Sequence, residues 1–357
     1  MVSEKLYLKG DKLLNILDYD FKSIKKALRM GRKKTIQKIK DSELKDRGGA
    51  AFAIGADKAY IYIRGEYTRA IEVFTEIIEA ARKNKILDNK IFDSDFKLEI
   101  KLVRGAGAYV CGDETSLLNS IEGKRGRSRI KPPYPIQEGL FSQPTVVNNV
   151  ESLCCAAEVL NPDSEEFTNL GIEGSRGTKL LCLSGDVNKP GLYEVEFGKI
   201  TLKEIIYDLA GGIKAGENLK FVIPGGISTT LIRAEDLDFP YSYQAFKKRG
   251  SSLGSGAVIA VSKKHDLLDL MLNVSRFYMD ETCGTCFPCR EGNRQINKIL
   301  KELKNSGQKI DAELISDIGN TIRLAARCGL GQSSLNFISS VIENYGQELK
   351  IGGKIYA

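Results

Sequence analysis

The chain has 357 residues, 42% of them hydrophobic and 28% charged, with a net charge of +7, eight cysteines and one histidine. That length makes two or three ordinary cores rather than one, and the balance excludes a disordered or fibrous chain. No apolar run reaches the roughly eighteen residues that cross a bilayer, and the opening MVSEKLYLKGDKLL has no signal-type apolar stretch, so a cytoplasmic protein without direct membrane insertion is expected.

Near the start, SIKKALRMGRKKTIQKIK reads as one basic helix, either a solvated face or a surface for an acidic protein partner. No aromatic interleaving or RNA-binding motif accompanies it, so no nucleic acid is expected as a partner. After the glycine-rich LKDRGGAAFAIGADK, the chain alternates: KAYIYIR as strand, TRAIEVFTEIIEAARKNKIL as helix, KLEIKLVR as strand, DETSLLNSIEG as helix, and NNVESLCCAAEVL as a further helix. Strand and helix in alternation predict an α/β unit with a mostly parallel sheet. The polar stretch NPDSEEFTNLGIEGSRG suits a boundary. From about 176, TKLLCLSGDV and GLYEVEFG flank an NKPG turn, TLKEIIYDLAGGI reads as a helix ending at glycine, and LKFVIPGG and GAVIAVS are further strands, which together make a small α+β module. From about 264 four amphipathic stretches with short joins predict a helical bundle.

The bundle carries the densest chemistry. DETCGTCFPCREGN places Cys283, Cys286 and Cys289 at C-x2-C-x2-C spacing, and the fourth thiol expected is Cys328 in ARCGLGQSSLN. Three ligands from one tight loop and one from far along the chain suit a 4Fe–4S cube, whose four irons each take one thiolate. Zinc is the rival, but it usually draws cysteines as two C-x2-4-C pairs or mixes in histidine, and His265 lies outside both motifs and reads as surface. Arg290 and Arg327 adjoin the ligands, where their charge would raise the reduction potential, or they are surface residues. Cys111, Cys154, Cys155 and Cys182 read as small core residues.

A second constellation is LEIKLVRGAGAYVCGDETSLLNSIEG, a strand, a glycine-rich turn and a helix. Glycines let a ligand approach the backbone, and a helix start offers free N–H groups. The spacing, however, is G-x-G-x-x-x-x-G, and Asp113 and Glu114 sit where a Rossmann pyrophosphate would rest. Carboxylates there fit hydroxyl or amide groups, or Asp113 simply caps the helix.

Taken in order, GAGAYVCGDETSLLNSIEGKRGRSRIKPPYP, QPTVVNNVESL, DETCGTCFPCREGN and CGLGQSSLN resemble the NuoF family, the NADH-binding flavoprotein (FMN and 4Fe–4S) subunit of respiratory complex I, shared with related soluble dehydrogenases and hydrogenases. The likeness runs from about residue 40 to about 345. It implies an α/β fold with a Rossmann-like flavin-type domain over 1–170, a ubiquitin-like β-grasp (SLBB-like) domain over 171–262 and a helical bundle carrying the cluster over 263–357. It makes Cys283, Cys286, Cys289 and Cys328 the metal ligands. It places Gly48, Gly49, Phe52, Tyr109, Gly112, Asp113, Asn148 and Asn149 around FMN, with Glu114, Lys131 and Tyr134 facing NADH and Glu114 as the candidate catalytic group. Tyr134 stands where the family has a stacking phenylalanine, and an aromatic exchange keeps a stacking face.

Two departures bear on function. The family's first flavin loop reads GRGGAGFPTG, whereas this chain has DRGGAAFAIG, so Asp46 and Ala51 replace glycines, and a carboxylate there opposes phosphate. After GGAAF the sequence then passes almost directly to AIGADKAYIYIR, without the NADEGEPG segment that in the family lines the isoalloxazine and nicotinamide. The expectation is a degenerate member: an electron-transfer subunit passing electrons through a 4Fe–4S cluster, with NADH oxidation lost and input from an acidic flavodoxin or ferredoxin. The alternative is a functional NADH:FMN oxidoreductase subunit that binds both despite the shortened loop. The resemblance implies as partners a thioredoxin-like 2Fe–2S subunit and the large iron–sulfur subunit, in the peripheral arm of a membrane-bound complex.

Overall fold

The computed structural model of the chain describes residues 22–41, 54–88, 90–91, 94–160, 167, 169–306, 310–349 and 351–352. Gly48, Gly49 and Phe52, with Asp46 and Ala51 of the same loop, lie outside the described residues. The basic N-terminal run is two helices and not one, α1 (Lys22–Met30) and α2 (Arg32–Asp41), because Gly31 takes a left-handed φ of 75° between them. Ala27 and Thr35 are buried, and the Thr35 hydroxyl donates back to the carbonyls of Ala27 and Gly31, so part of this run packs instead of facing water.

Strands β1 (Lys58–Ile63) and β2 (Glu99–Arg104) pair in parallel, with α3 (Thr68–Lys83) making the crossover between them. Among the described residues these two are the whole sheet of the first unit, smaller than the alternating pattern predicts. Beyond β2 the chain turns through Gly105 and Gly107 into a 3-10 turn at Tyr109–Gly112, then enters α4 (Glu114–Ile121), and later α5 (Val150–Leu160), against which α1 and α2 lie.

Next comes a five-stranded mixed sheet. Its strands β3 (Thr178–Gly185), β4 (Gly191–Glu196), β5 (Leu219–Ile223), β6 (Ile232–Arg233) and β7 (Ala257–Ser262) are ordered β4-β3-β7-β5-β6, and only β3 and β7 run parallel. The helix expected over 201–213 is shorter: Thr201 and Glu204 form a capping box, one α turn passes into a π turn at Ile205–Leu209, and Gly211 and Gly212 end it at positive φ. Strand periodicity puts Leu181 and Leu183 in the core and Cys182 outside, and Cys154 is also exposed on the outer face of α5. Of the four cysteines expected in the core, only Cys111 is fully buried, with Cys155 half-buried. Hydrophobic neighbours alone do not say which face a residue takes.

Asp266 caps α6 (Leu267–Glu281), and α7 (Phe287–Ser306), α8 (Ala312–Ala325, capped by Asp311) and α9 (Asn336–Tyr345) complete the bundle. The sheet is covered on both faces. Leu181, Val222 and Ala260 join Leu202, Ile205 and Phe246 on one side, whereas Phe221, Ile223 and Val261 enter the bundle core with Met271, Tyr278 and Phe337. Each such side chain contributes about 1.5–3 kcal/mol by burial, so bundle and sheet hold one another in place. No helix among the described residues is long and apolar enough to cross a membrane.

Candidate metal and cofactor site

The three clustered cysteines sit where α6 gives way to α7. Gly284 reverses the chain at φ 75°, Cys286 precedes the first turn of α7, and Cys289 lies inside that turn. Cys328 arrives from the end of α8, at the start of the short helical turn Gly329–Gln332. All four join one hydrophobic cluster, Cys289 and Cys328 buried and Cys283 and Cys286 half-buried against it. Burial pushes the Cys289 thiol up, and Cys328, Cys286 and Cys283 push it further, while Thr282 works the other way. Burial likewise raises Cys328, opposed by the Gly331 and Leu330 N–H groups and reinforced by Asp113 and Cys283. Burial thus disfavours the thiolate form of Cys289 and Cys328, a penalty that bound iron would offset.

The surroundings fit such a group. The Thr282 hydroxyl stands 3.4 Å from the Cys289 sulfur, and Asn293 Nδ2 is 3.6 Å from it, which are weak polar contacts of the kind that tune cluster sulfurs. Gly331 passes close by: a Cβ there would stand 2.5 Å from the Ala326 Cβ and 3.1 Å from the Cys289 sulfur, so only glycine fits. Among the described residues no group of three or more His, Cys, Asp or Glu side chains is arranged to hold a metal ion.

Sequence reasoning missed Arg125 and read Arg290 only as a charge beside the ligands or a surface residue, whereas both brace this loop. Arg125 donates to the Cys283 carbonyl at 3.0 Å, and Arg290 to the Gly284 carbonyl at 2.6 Å while pairing with Glu291 at 2.9 Å. Arg290 therefore grips the loop and a carboxylate, and its charge is partly spent there. Arg327 is exposed. Bonds to backbone carbonyls leave no side-chain signature, although Asn293, four residues after Cys289, was findable from helical spacing.

The glycine turn adjoins the thiols. The Tyr109 N–H donates to Glu281 at 3.0 Å, two residues before Cys283, and the Tyr109 ring packs edge-on against Phe277 with centroids 5.0 Å apart. Val110 and Cys111 enter the same core as the ligand cysteines. Asp113 caps α4 with one oxygen, Oδ2, which accepts from the backbone N–H groups and hydroxyls of both Thr115 and Ser116. Gly112 is exposed, and a Cβ on it would meet nothing within 4 Å, so this turn faces open space. Beyond it Lys131 pairs with Glu114, whose carboxylate outweighs burial and keeps the ammonium pKa above its ordinary value. Tyr134 is exposed beside them. Asn149 accepts the Ser152 N–H at 2.7 Å at the start of α5, and Asn148 is half-buried. Arg129 ties this shelf together by donating to Asn119, Glu122 and the Gly139 carbonyl.

Comparison with known proteins finds three matching family regions. Residues 48–158 match the Nuo51 FMN-binding domain, 179–249 the SLBB domain, and 269–351 the NADH-ubiquinone oxidoreductase-F iron–sulfur binding region, which contains all four cysteines. The second F-type subunit of NADH-quinone oxidoreductase in Rhizobium meliloti (strain 1021) is 39% identical over 300 residues, 84% of this chain and 71% of that protein. The corresponding F-type subunit in Aquifex aeolicus (strain VF5) is also 39% identical over 300 residues, 69% of that protein. An NAD+-reducing NiFe hydrogenase in the H2-reduced state superposes with a TM-score of 0.73 at 35% identity, over 84% of this chain and 50% of that one, so the chain spans about half the length of the hydrogenase chain. With matches to an FMN-binding domain, an SLBB domain and a 4Fe–4S binding region, and such identity over most of its length, the chain belongs to the NuoF family of NADH-quinone oxidoreductase subunits.

Proposed function

We propose that this chain is an electron-transfer subunit of a complex I-like NADH-quinone oxidoreductase, in its peripheral arm, with NADH oxidation lost and electrons received from a flavodoxin or ferredoxin. The divisions near 170 and 262 separate its flavin-type, β-grasp and cluster-bearing parts. The observation that carries the reading is that Cys283, Cys286, Cys289 and Cys328 belong to one hydrophobic core, with Cys289 packed against a glycine that leaves no room for a methyl. These four would hold the cluster, which when bound takes up and releases one electron at a time. Cys289 and Cys328 are the buried pair that would hold it, Thr282, Asn293 and the amides of Leu330 and Gly331 are the polar groups beside these two sulfurs, and Arg125 and Arg290 fix the loop that carries Cys283 and Cys286. The partners are a thioredoxin-like 2Fe–2S subunit and the large iron–sulfur subunit.

Loss of NADH oxidation is supported by the shortened stretch before β1 and by the Glu114–Lys131 pair, which engages the candidate catalytic carboxylate with a cation of its own chain. A hydride donor needs walls that hold it to within about an ångström, and misplacement on that scale costs on the order of a hundredfold. The second reading, a subunit that binds FMN and NADH, is favoured by the open space before Gly112. Iron and sulfide analysis with low-temperature EPR tests the cluster, and zinc without iron refutes it. Stopped-flow mixing of cluster-loaded protein with NADH tests the loss, and bleaching of a flavin band establishes the second reading.

A further inference from the structure

We propose that Arg125 raises the reduction potential of the centre held by the four cysteines, as a fixed positive charge delivered from the flavin-type unit to a ligand of the bundle; this rests on the electron-transfer reading above. The Arg125 guanidinium donates to the Cys283 carbonyl at 3.0 Å. A cysteine's own carbonyl oxygen and sulfur are only a few bonds apart, which puts the charge within about 8 Å of the Cys283 sulfur.

The approach is built into the fold. Arg125 is followed by Gly126, where a Cβ would stand 2.5 Å from the Cys111 sulfur. Asn119 Nδ2 donates to the Arg127 carbonyl at 2.7 Å, and the Arg129 N–H to Thr115 Oγ1 at 3.0 Å. The stretch that carries Arg125 is thus fastened to the glycine turn and to α4, and its side chain crosses from there to the cysteine loop. The neighbouring cations differ. Arg290 meets the loop at the Gly284 carbonyl, but Glu291 lies 2.9 Å from it and offsets its charge. Arg327 is exposed, and no hydrogen bond or ion pair among the described residues holds its side chain to a ligand. Arg125 is both held in place and without a carboxylate partner among the described residues. Taking up an electron adds negative charge, so a fixed cation favours the reduced form. At 8 Å that preference is about twofold in bulk water and about thirtyfold at an effective dielectric of about 20. Because Arg125 is exposed, the lower part of that range applies.

The test is a redox titration of cluster-loaded protein followed by low-temperature EPR, with iron content measured on each sample. Arg125→Gln keeps a donor for the carbonyl and removes the charge. It should disfavour reduction about threefold, a fall of about 28 mV at 59 mV per tenfold. Arg125→Lys keeps the charge and should hold the wild-type potential, whereas Arg125→Glu should fall about twice as far as Arg125→Gln. These shifts should shrink as salt rises. Lys203→Gln, on the β-grasp unit, removes a charge elsewhere and should move nothing. Equal potentials in Arg125→Gln and Arg125→Lys, or iron lost from both with an unshifted potential in the loaded fraction, would make Arg125 a brace alone and overturn the proposal. Iron-free wild type would instead sink the cluster reading, and this role with it.

Discussion

Adding one methyl group at Gly331 asks whether the thiol pocket is shaped by close packing. A Cβ there would lie 2.5 Å from the Ala326 Cβ, 3.1 Å from the Cys289 sulfur and 3.5 Å from the Cys289 Cβ. Carbon atoms in contact rest at about 3.5–4.0 Å, so the Gly329–Gln332 turn or α7 must retreat by about an ångström. Neither neighbour yields by rotation, because Ala326 has no rotamer and Cys289 is buried. Overpacking of this kind costs about 1–3 kcal/mol. The retreat also displaces Cys328, because the Leu330 and Gly331 amides that meet its sulfur belong to the same turn. Gly331→Ala should therefore hold less than a full complement of iron, show a diminished EPR signal and lose about 1–3 kcal/mol in urea unfolding followed by circular dichroism. Two residues earlier, Gly329 offers a control: a Cβ there meets nothing within 4 Å, and its φ is not left-handed. Gly329→Ala should stay within about 0.5 kcal/mol of wild type and load normally. If the two variants behave alike, close packing does not shape the pocket.

The other expectations concern the shelf around the glycine turn and its attachment to the sheet. Glu122 is desolvated, which by itself raises its pKa, but Lys124, Arg129 and the Phe141 N–H outweigh burial and hold it at about 2 against an ordinary 4.5. Because the folded value is the lower one, this carboxylate stabilises the fold above pH 4.5 and the contribution drains away as pH falls toward 2. It amounts to at most about 3 kcal/mol, so Glu122→Gln should weaken the protein at pH 7 and flatten its stability between pH 4.5 and 2; acid titrations parallel to wild type would contradict this. Glu151 on α5 receives the Lys179 ammonium and the Leu180 N–H of β3, and the Lys179 side chain is only 9% exposed. Glu151→Ala strands that ammonium and should cost about 3 kcal/mol in urea unfolding, most of it recovered when Lys179→Met is added; no recovery would show that the pair contributes little. Asp113→Ala removes a cap worth about 1 kcal/mol, whereas Asp113→Asn keeps an oxygen for it and should remain near wild type in thermal unfolding.

The bundle was legible because its signals are local. Apolar spacing and the Asp266 and Asp311 caps fix α6 and α8, and the close spacing of Cys283, Cys286 and Cys289 announces a shared ligand before any fold is known. Cys328 followed from ligand number, but its burial beside Cys289 depends on how α8 returns against α7, which periodicity does not encode. The braces escaped entirely. Arg125 finds the Cys283 carbonyl 158 residues away, and Glu281 finds the Tyr109 amide 172 residues away; both bond to backbone, for which any sequence offers equal targets. The split at Gly31 was readable in principle, since a lone glycine in a basic helix run offers the left-handed turn that ends it.

The braces also change what the retained motifs signify. The Tyr109 amide is tied to Glu281, Asp113 spends Oδ2 on four contacts that start α4, and Glu114 holds Lys131. Thr115 Oγ1 accepts the Arg129 N–H, and Arg129 in turn reaches Glu122. Every one of these residues has a structural bond to make, and the turn they build carries Val110 and Cys111 into the core that holds the ligand cysteines. Losing any of them would loosen the wall of the thiol pocket whether or not a nucleotide ever bound beside it. Retention of the DETSLLNS motif is therefore what the pocket demands on its own account, and nucleotide binding has to be judged from the walls in front of Gly112.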